Sequence, residues 1–237
     1  MRRDGVGMRA RDDAMTRLRV MIPTYAPDEQ AAVISSGTMS SLERLQAAGL
    51  IRDTDVLVHE NNGLLVQARA ELLARAYADG SADAFLFLDA DIGIGVDAVR
   101  HMLEAPTASV GCAYAGRHAG MTRSILGRVA QPQDVRLEGG QRLLRMRWLA
   151  FGCMLLTRPA VDALYRTCEH FETYEGCNAI SPWSPLIITV DGKRRLLDDS
   201  YACCERLTAC GVDTWCLVDE CVVHAGIACQ AGRIVAA

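Results

Sequence analysis

The sequence predicts an α/β domain built on a mostly parallel sheet with helices packed against it. Three observations predict it. Short apolar runs alternate with longer stretches of helical spacing, in the order strand, strand, helix, strand, helix, strand. Residues 84–88 are apolar at consecutive positions, the pattern of a strand buried on both faces. Half of the 237 residues are hydrophobic, which excludes a disordered chain and suffices for one well-buried core.

The elements follow in order. Residues 1–17 hold basic side chains with no apolar run behind them, so they read as a mobile leader and not as a secretory signal. Residues 18–22 form an apolar strand stopped by Pro23, and residues 54–59 form a second. Residues 64–78 carry Leu64, Leu65, Ala68, Leu72, Leu73 and Ala76 at helical spacing, with Gly80 as the C-cap. The strand at 84–88, a helix at 96–103 and a strand at 108–113 complete a first half. Beyond it, 143–150 and 151–156 read as strands, and Thr157 reads as the N-cap of a helix that tolerates Pro159 in its first turn. Residues 171–185 read as a loop. Residues 186–190 and 194–197 form a hairpin around Asp191 and Gly192. Residues 198–210 form a helix ended by Gly211, 214–218 a last strand, and 222–226 the approach to the C-terminus.

Charge and cysteine content bound the function classes. The net charge is -4, without the global basic field that marks many nucleic-acid binders. One stretch departs from this: residues 116–147 hold seven arginines against Asp134 and Glu138, a local excess of five positive charges. It reads as a solvated surface or as a contact for an anionic acceptor, since arginine pairs well with phosphate. Six of the ten cysteines fall between Cys203 and Cys229 without the C-x-x-C spacing of a zinc site, and they read as small buried hydrophobes of a reducing compartment. No apolar run has the length of a membrane span, so the expected setting is cytoplasmic.

The residues that carry chemistry begin with Asp89 and Asp91. In extended backbone, side chains two apart point to the same side. The two carboxylates therefore leave a dry strand together at the sheet edge where α/β folds bind ligands. Like charges held close need a reason, and a hard divalent cation, Mn²⁺ or Mg²⁺, supplies one. A cation held by few protein ligands keeps positions open for diphosphate oxygens. The other reading is a pair of turn carboxylates. Asp198 and Asp199 open a predicted helix, where free N–H groups favour carboxylates; the alternative is general-base work on an acceptor hydroxyl.

Five motifs taken in order resemble a known family. They are residues 22–25 (Ile, Pro23, Thr24, Tyr25), 68–71 (Ala, Arg69, Ala, Glu71), 87–92 (Phe, Leu, Asp89, Ala, Asp91, Ile), 197–201 (Leu, Asp198, Asp199, Ser200, Tyr201) and 224–226 (His224, Ala, Gly). This order is similar to that of GT-A-fold glycosyltransferases, closest to compact family-two-like members of bacteria and phages, over nearly the whole chain. The resemblance implies a single domain, 18–232, with a nucleotide-binding half at 18–115 and an acceptor half at 116–232. It implies that Pro23, Thr24 and Tyr25 cradle the nucleoside, that Glu60 or Asn61 holds it from the second strand, and that Arg69 reaches the nucleotide from the helix. Asp89 and Asp91 match the metal-binding D-x-D, Asp89 also facing the nucleotide, with His224 as a third ligand. Gly152 matches a small residue beside the sugar and acceptor, with Trp148 and Trp183 available to stack. Asp199, or else Asp198, matches the base, although Ser200 stands where the family carries an aromatic and Tyr201 comes one position late. His59, His101, His118 and His170 match no motif.

The expected activity is metal-dependent transfer of a sugar from a nucleotide-diphosphate sugar donor to a hydroxyl-bearing acceptor. The basic stretch extends the acceptor to phosphate-rich ones, modified DNA or a lipid phosphate. One alternative is a phage-like enzyme acting on hydroxymethylated DNA bases. Another is a nucleotidyltransferase or a non-catalytic nucleotide-binding module. Nucleotidyltransferases usually have a glycine-rich signature after the first strand, and residues 23–27 lack one.

Overall fold

The computed structural model describes residues 16–24, 34–59, 64–114, 127–130, 135–138, 141–173, 176–220, 222–225 and 230–232. In chain order the elements are β1 (Leu18–Pro23), α1 (Ser36–Ala47), β2 (Val56–His59), α2 (Leu65–Ala78), β3 (Ala84–Leu88), β4 (Ile92–Gly93), α3 (Val96–Glu104) and β5 (Ser109–Cys112). There follow β6 (Gly127–Val129), β7 (Val135–Glu138), β8 (Gln141–Leu149), β9 (Cys153–Thr157), α4 (Arg158–Thr167), β10 (His170–Glu172) and β11 (Asn178–Ile180). The chain continues with β12 (Leu186–Val190), β13 (Lys193–Leu197), α5 (Asp199–Ala209), β14 (Thr214–Leu217), β15 (Val222–His224) and β16 (Gln230–Gly232).

The central sheet has the order β2-β1-β3-β9-β5-β14-β8-β6, with β7 beside β8. Pairing is parallel for β1 with β2, β1 with β3, and β5 with β14. β9 lies antiparallel between β3 and β5, so β2, β1, β3, β5 and β14 all run one way. β8 runs against β14. The α/β class is as the apolar runs predict, and the antiparallel insertions add two crossings that periodicity does not encode.

β3 shows why consecutive apolar residues make a central strand. Ala84, Leu86 and Leu88 enter one core and Phe85 and Phe87 the other. The first core lies under α1 and α3, the second under α2, α4 and α5. Burying each large side chain contributes roughly 1.5–3 kcal/mol.

Three local expectations are revised and one element is added. Residues 171–185 were expected as loop, yet β10 and β11 pair there as an antiparallel hairpin from His170↔Ile180 to Glu172↔Asn178. Strands of three residues, β10 being exposed, leave no alternation to detect. Thr157 stands at the N-cap of α4, but its side chain donates to the Ala108 carbonyl (3.4 Å) and makes no capping bond. Arg17, expected in the leader, is tied to the domain by its N–H on Asp83 Oδ2 (2.9 Å). α1 had no sequence forecast; Ser35 caps it by accepting from the Thr38 N–H (3.2 Å). Its buried face carries Thr38 and Ser41, which bond to residues 90–94 on and around β4, and polar residues on the inner face defeat a hydrophobic-period search.

The hairpin of β12 and β13 is as predicted. Asp191 (φ 51°) and Gly192 (φ 72°) supply the two left-handed residues of its tight turn. Among the described cysteines all are free; Cys203 and Cys204, neighbours on α5, point into two different cores. Cys221 and Cys229 lie outside the described residues. Among the described residues no helix is long and apolar enough to cross a membrane.

Candidate active site

The five co-directional strands all end at one edge of the sheet. Thr24 follows β1, His59 ends β2, Asp89 follows β3 and Tyr114 lies just past β5. Thr24 is locked to the end of β2 by its backbone N–H (2.9 Å) and hydroxyl (2.8 Å), both donating to the His59 carbonyl. Pro23 pairs in register with His59. Tyr25, Glu60 and Asn61 lie outside the described residues.

Arg69 is the centre of the arrangement. It projects from α2 with 2% of its side chain exposed. Its Nη2 donates to Asp89 Oδ1 (2.9 Å) and its Nη1 to Asp199 Oδ2. Burial alone pulls its pKa down; the two carboxylates outweigh that and hold it above the ordinary value. The guanidinium also lies 5.8 Å from the centroid of the Phe151 ring. Arg69 thus joins carboxylates 20 and 130 residues away along the chain.

Asp89 is fixed from a second side. Its backbone N–H donates to the Gly152 carbonyl (2.9 Å), and the Gly152 N–H donates to the Tyr114 hydroxyl (2.9 Å). A Cβ at position 152 would overlap the Tyr114 hydroxyl and lie 2.6 Å from Asp89 Oδ2, so glycine is the only residue that fits without movement. Desolvation pushes the Tyr114 phenol well above its usual pKa, with the Asp89 charge adding to it, so the phenol stays protonated.

Asp91 meets a different partner. β15 pairs antiparallel with β4, placing His224 opposite Ile92. His224 Nε2 then lies 3.4 Å from Asp91 Oδ2, and the Ala225 N–H donates to the Asp91 carbonyl (2.7 Å). Two ligand atoms at right angles on one divalent cation, each at about 2.1 Å, are separated by about 3 Å, so this pair has nearly the spacing of neighbouring ligands. Among the described residues no three His, Cys, Asp or Glu side chains converge as a complete metal cage. The donor types fit a divalent cation that keeps open positions; Asp89 itself has one carboxylate oxygen on Arg69.

The remaining site residues separate clearly. Asp198 caps α5, its Oδ1 accepting from the Tyr201 N–H (2.9 Å), and desolvation raises its carboxyl pKa. Asp199 is the one of the two that reaches Arg69. Ser200 accepts from the Phe151 N–H (3.3 Å), and Tyr201 stacks on Trp148 at 5.2 Å. Trp148 is 7% exposed and Trp183 is 0% exposed, packed edge-on against Phe87 and Phe151. Neither presents an open ring for stacking on a sugar. Sequence reasoning missed Tyr114 and the pair of His59 with Glu71, whose ring nitrogen and carboxylate meet at the end of β2. Tyr114 could have been found from its position just past a strand that ends at the ligand edge; the His59 contact joins a strand to a helix and has no local signal. Beside α2 lies an apolar cavity of about 740 Å³, lined by Leu64, Ala70, Phe171 and Pro185 among others, and it contains none of the site carboxylates.

Three arginines of the basic stretch are paired with carboxylates, while the exposed Arg128 lies over the Trp148 ring. Arg142 pairs with Asp219, Arg145 with Asp213 at 2.8 Å, and Arg147 with Glu205 at 3.0 Å. Arg117 and Arg123 lie outside the described residues.

No family model matches the chain. No curated protein matches it. Among solved structures it is similar to A197 from STIV, at 11% identity and a TM-score of 0.53, over 94% of this chain and 97% of that one. A glycosyltransferase involved in the glycosylation of the major capsid of PBCV-1 aligns at 13% identity and a TM-score of 0.35, over 62% of each chain. GalNAc-T7, solved with UDP, GalNAc and Mn²⁺, aligns at 13% identity and a TM-score of 0.42, over 87% of this chain and 43% of that one. The first of these is a likeness of fold, and the other two fall below the similarity that argues even for that.

Proposed function

We propose that the protein is a metal-dependent glycosyltransferase that moves a sugar from a nucleotide-diphosphate donor to a hydroxyl acceptor. One observation carries the reading: Asp89, Asp91, His224, Arg69 and Asp199, from four separate stretches of the chain, meet at the ligand edge of the sheet. Asp91 and His224 would hold Mn²⁺ or Mg²⁺, which when bound neutralises charge on a departing diphosphate. Asp89 and Thr24 line the donor side, within the nucleotide-binding half at 18–115. Asp199 is the base that takes the acceptor proton, oriented by Arg69, and Asp198 shapes the start of its helix. Gly152 leaves room where donor sugar and acceptor approach.

The alternative reading on hydroxymethylated DNA bases rests on the basic stretch, and three of its seven arginines, Arg142, Arg145 and Arg147, are engaged by carboxylates.

The test is release of nucleotide diphosphate from a panel of nucleotide sugars, with and without Mn²⁺. Metal-dependent turnover of at least one donor is expected, abolished by Asp91→Ala and His224→Ala. No turnover of any donor, or wild-type rates in both variants, overturns the reading.

A further inference from the structure

The candidate site has two parts. Asp89, Arg69 and Asp199 form one, and Asp91 with His224 forms the other. The proposed reaction leaves Tyr114 without a role, yet this side chain reaches both parts. Its hydroxyl accepts the Gly152 N–H (2.9 Å), and the Gly152 carbonyl accepts the Asp89 N–H (2.9 Å). Its ring meets the His224 imidazole edge-on, with centroids 5.2 Å apart and planes at 74°. Tyr114 is 4% exposed and His224 is 7% exposed, so the contact between them is dry. Paired strands fix both residues. Tyr114 lies just past β5, which is hydrogen-bonded between β9 and β14, and β15 is held in register on β4. Burial keeps the phenol protonated, so its oxygen adds no charge beside Asp89.

We propose that Tyr114 is a positioning residue with two separable parts: its ring orients His224 for a divalent cation, and its hydroxyl holds Gly152 and Asp89 in place for turnover. An imidazole free to rotate must be ordered when it ligates a cation, and that ordering costs affinity. A ring packed edge-on against it removes this freedom beforehand. The hydroxyl acts along the backbone. Without it the buried Gly152 N–H has no acceptor, and the start of β9 shifts to find one. The Gly152 carbonyl shifts with it, and so does Asp89, which shares Arg69 with Asp199. The proposal rests on the glycosyl-transfer reading and extends it, since one side chain then sets cation affinity and the rate of the step through different atoms.

The experiment titrates Mn²⁺ alone into the full chain and reads free Mn²⁺ by electron paramagnetic resonance, with His224→Ala marking the affinity that remains without the imidazole. Tyr114→Phe keeps the ring and removes the hydroxyl; Tyr114→Leu removes both and stays apolar. Tyr114→Leu is expected to weaken Mn²⁺ binding about 10–100-fold, toward His224→Ala, while Tyr114→Phe binds as the wild type does. Tyr114→Phe should nonetheless lower kcat for donor hydrolysis roughly 10–100-fold. A residue that only fills the core gives no such split between affinity and rate. Circular dichroism establishes that each variant is folded. Should Tyr114→Leu not fold, the His224 ring-proton resonances, assigned by their loss in His224→Ala, give a second reading. They are displaced by the aromatic contact in the wild type and stay displaced in Tyr114→Phe. No Mn²⁺ binding by the wild type, equal weakening in Phe and Leu, undisplaced His224 resonances, or a Phe variant with wild-type kcat each overturns the proposal. Donor turnover by the wild type with variants that match it removes the proposal and leaves glycosyl transfer standing. No turnover of any donor, with the Mn²⁺ contrast intact, removes glycosyl transfer and the hydroxyl's part and leaves the ring's part standing.

Discussion

The turn after β3 and the start of α5 each offer two carboxylates, and each divides them the same way. Asp89 and Asp199 turn inward to one buried cation, Arg69. Asp91 and Asp198 face elsewhere, Asp91 beside His224 on the neighbouring strand and Asp198 on the first turn of its own helix. Two motifs of similar composition thus contribute one member each to a shared centre. Which member of each pair faces Arg69 is set by the tertiary structure and not by the spacing of the acids.

The largest expected effect comes from removing that partner. Arg69→Met leaves two part-buried carboxylates without their cation and should cost about 3–5 kcal/mol, read by chemical denaturation. A variant as stable as the wild type would break the comparison, because Arg69 would then not organise either carboxylate. Arg69→Lys should recover only part of the loss, since one ammonium cannot reproduce two guanidinium contacts.

Next comes the contrast between neighbours. Asp199→Asn should lower kcat roughly 10²–10⁴-fold if it is the base, with Asp198→Asn within a few-fold of wild type. Equal losses at both positions would erase the distinction. Gly152→Ala forces its methyl onto Tyr114 and Asp89 and should cost about 1–3 kcal/mol together with donor turnover. A tolerated alanine would show that the close approach of β9 to Asp89 can relax.

The smallest effects concern Asp198. Asp198→Ala should cost about 1 kcal/mol as a lost cap, and Asn should retain most of it. The Asp198 pKa is raised by desolvation. Folding therefore favours its protonated form, whose contribution is present below the unfolded-state pKa and is lost as pH rises through the folded value. The melting temperature of wild type relative to Asp198→Asn should fall as pH rises from about 3 past the ordinary carboxylate pKa of about 3.9. The opposite slope would mean that the helix N–H groups outweigh desolvation.

Much of the architecture was legible because it is local. The apolar run of β3, the glycine ends of α2 and α5, and the Asp191 and Gly192 turn each state their structure within a few residues. α1 was not legible, since its inner face uses Thr38 and Ser41 to hold residues 90–94 on and around β4. The β10 and β11 hairpin was too short to show a period. At the site, Asp89, Asp91, Arg69, His224 and Asp199 were all named from sequence, and what spacing did not foretell is that Arg69 bridges two aspartates. Trp148 and Trp183 were named as stacking candidates and are buried. The partners of charge were equally out of reach: the arginines of 142–147 find carboxylates on β14's flanks and on α5.

The sequence by itself determined the strands, most of the helices and the supply of acids and bases, because backbone preference and hydrophobic period act over a few residues. Tertiary structure alone decided which charges are neutralised, which tryptophans are covered and which aspartate of each pair faces Arg69. Those outcomes depend on contacts between strands and helices up to 130 residues apart, and electrostatic and burial energies are set by such neighbours rather than by sequence spacing.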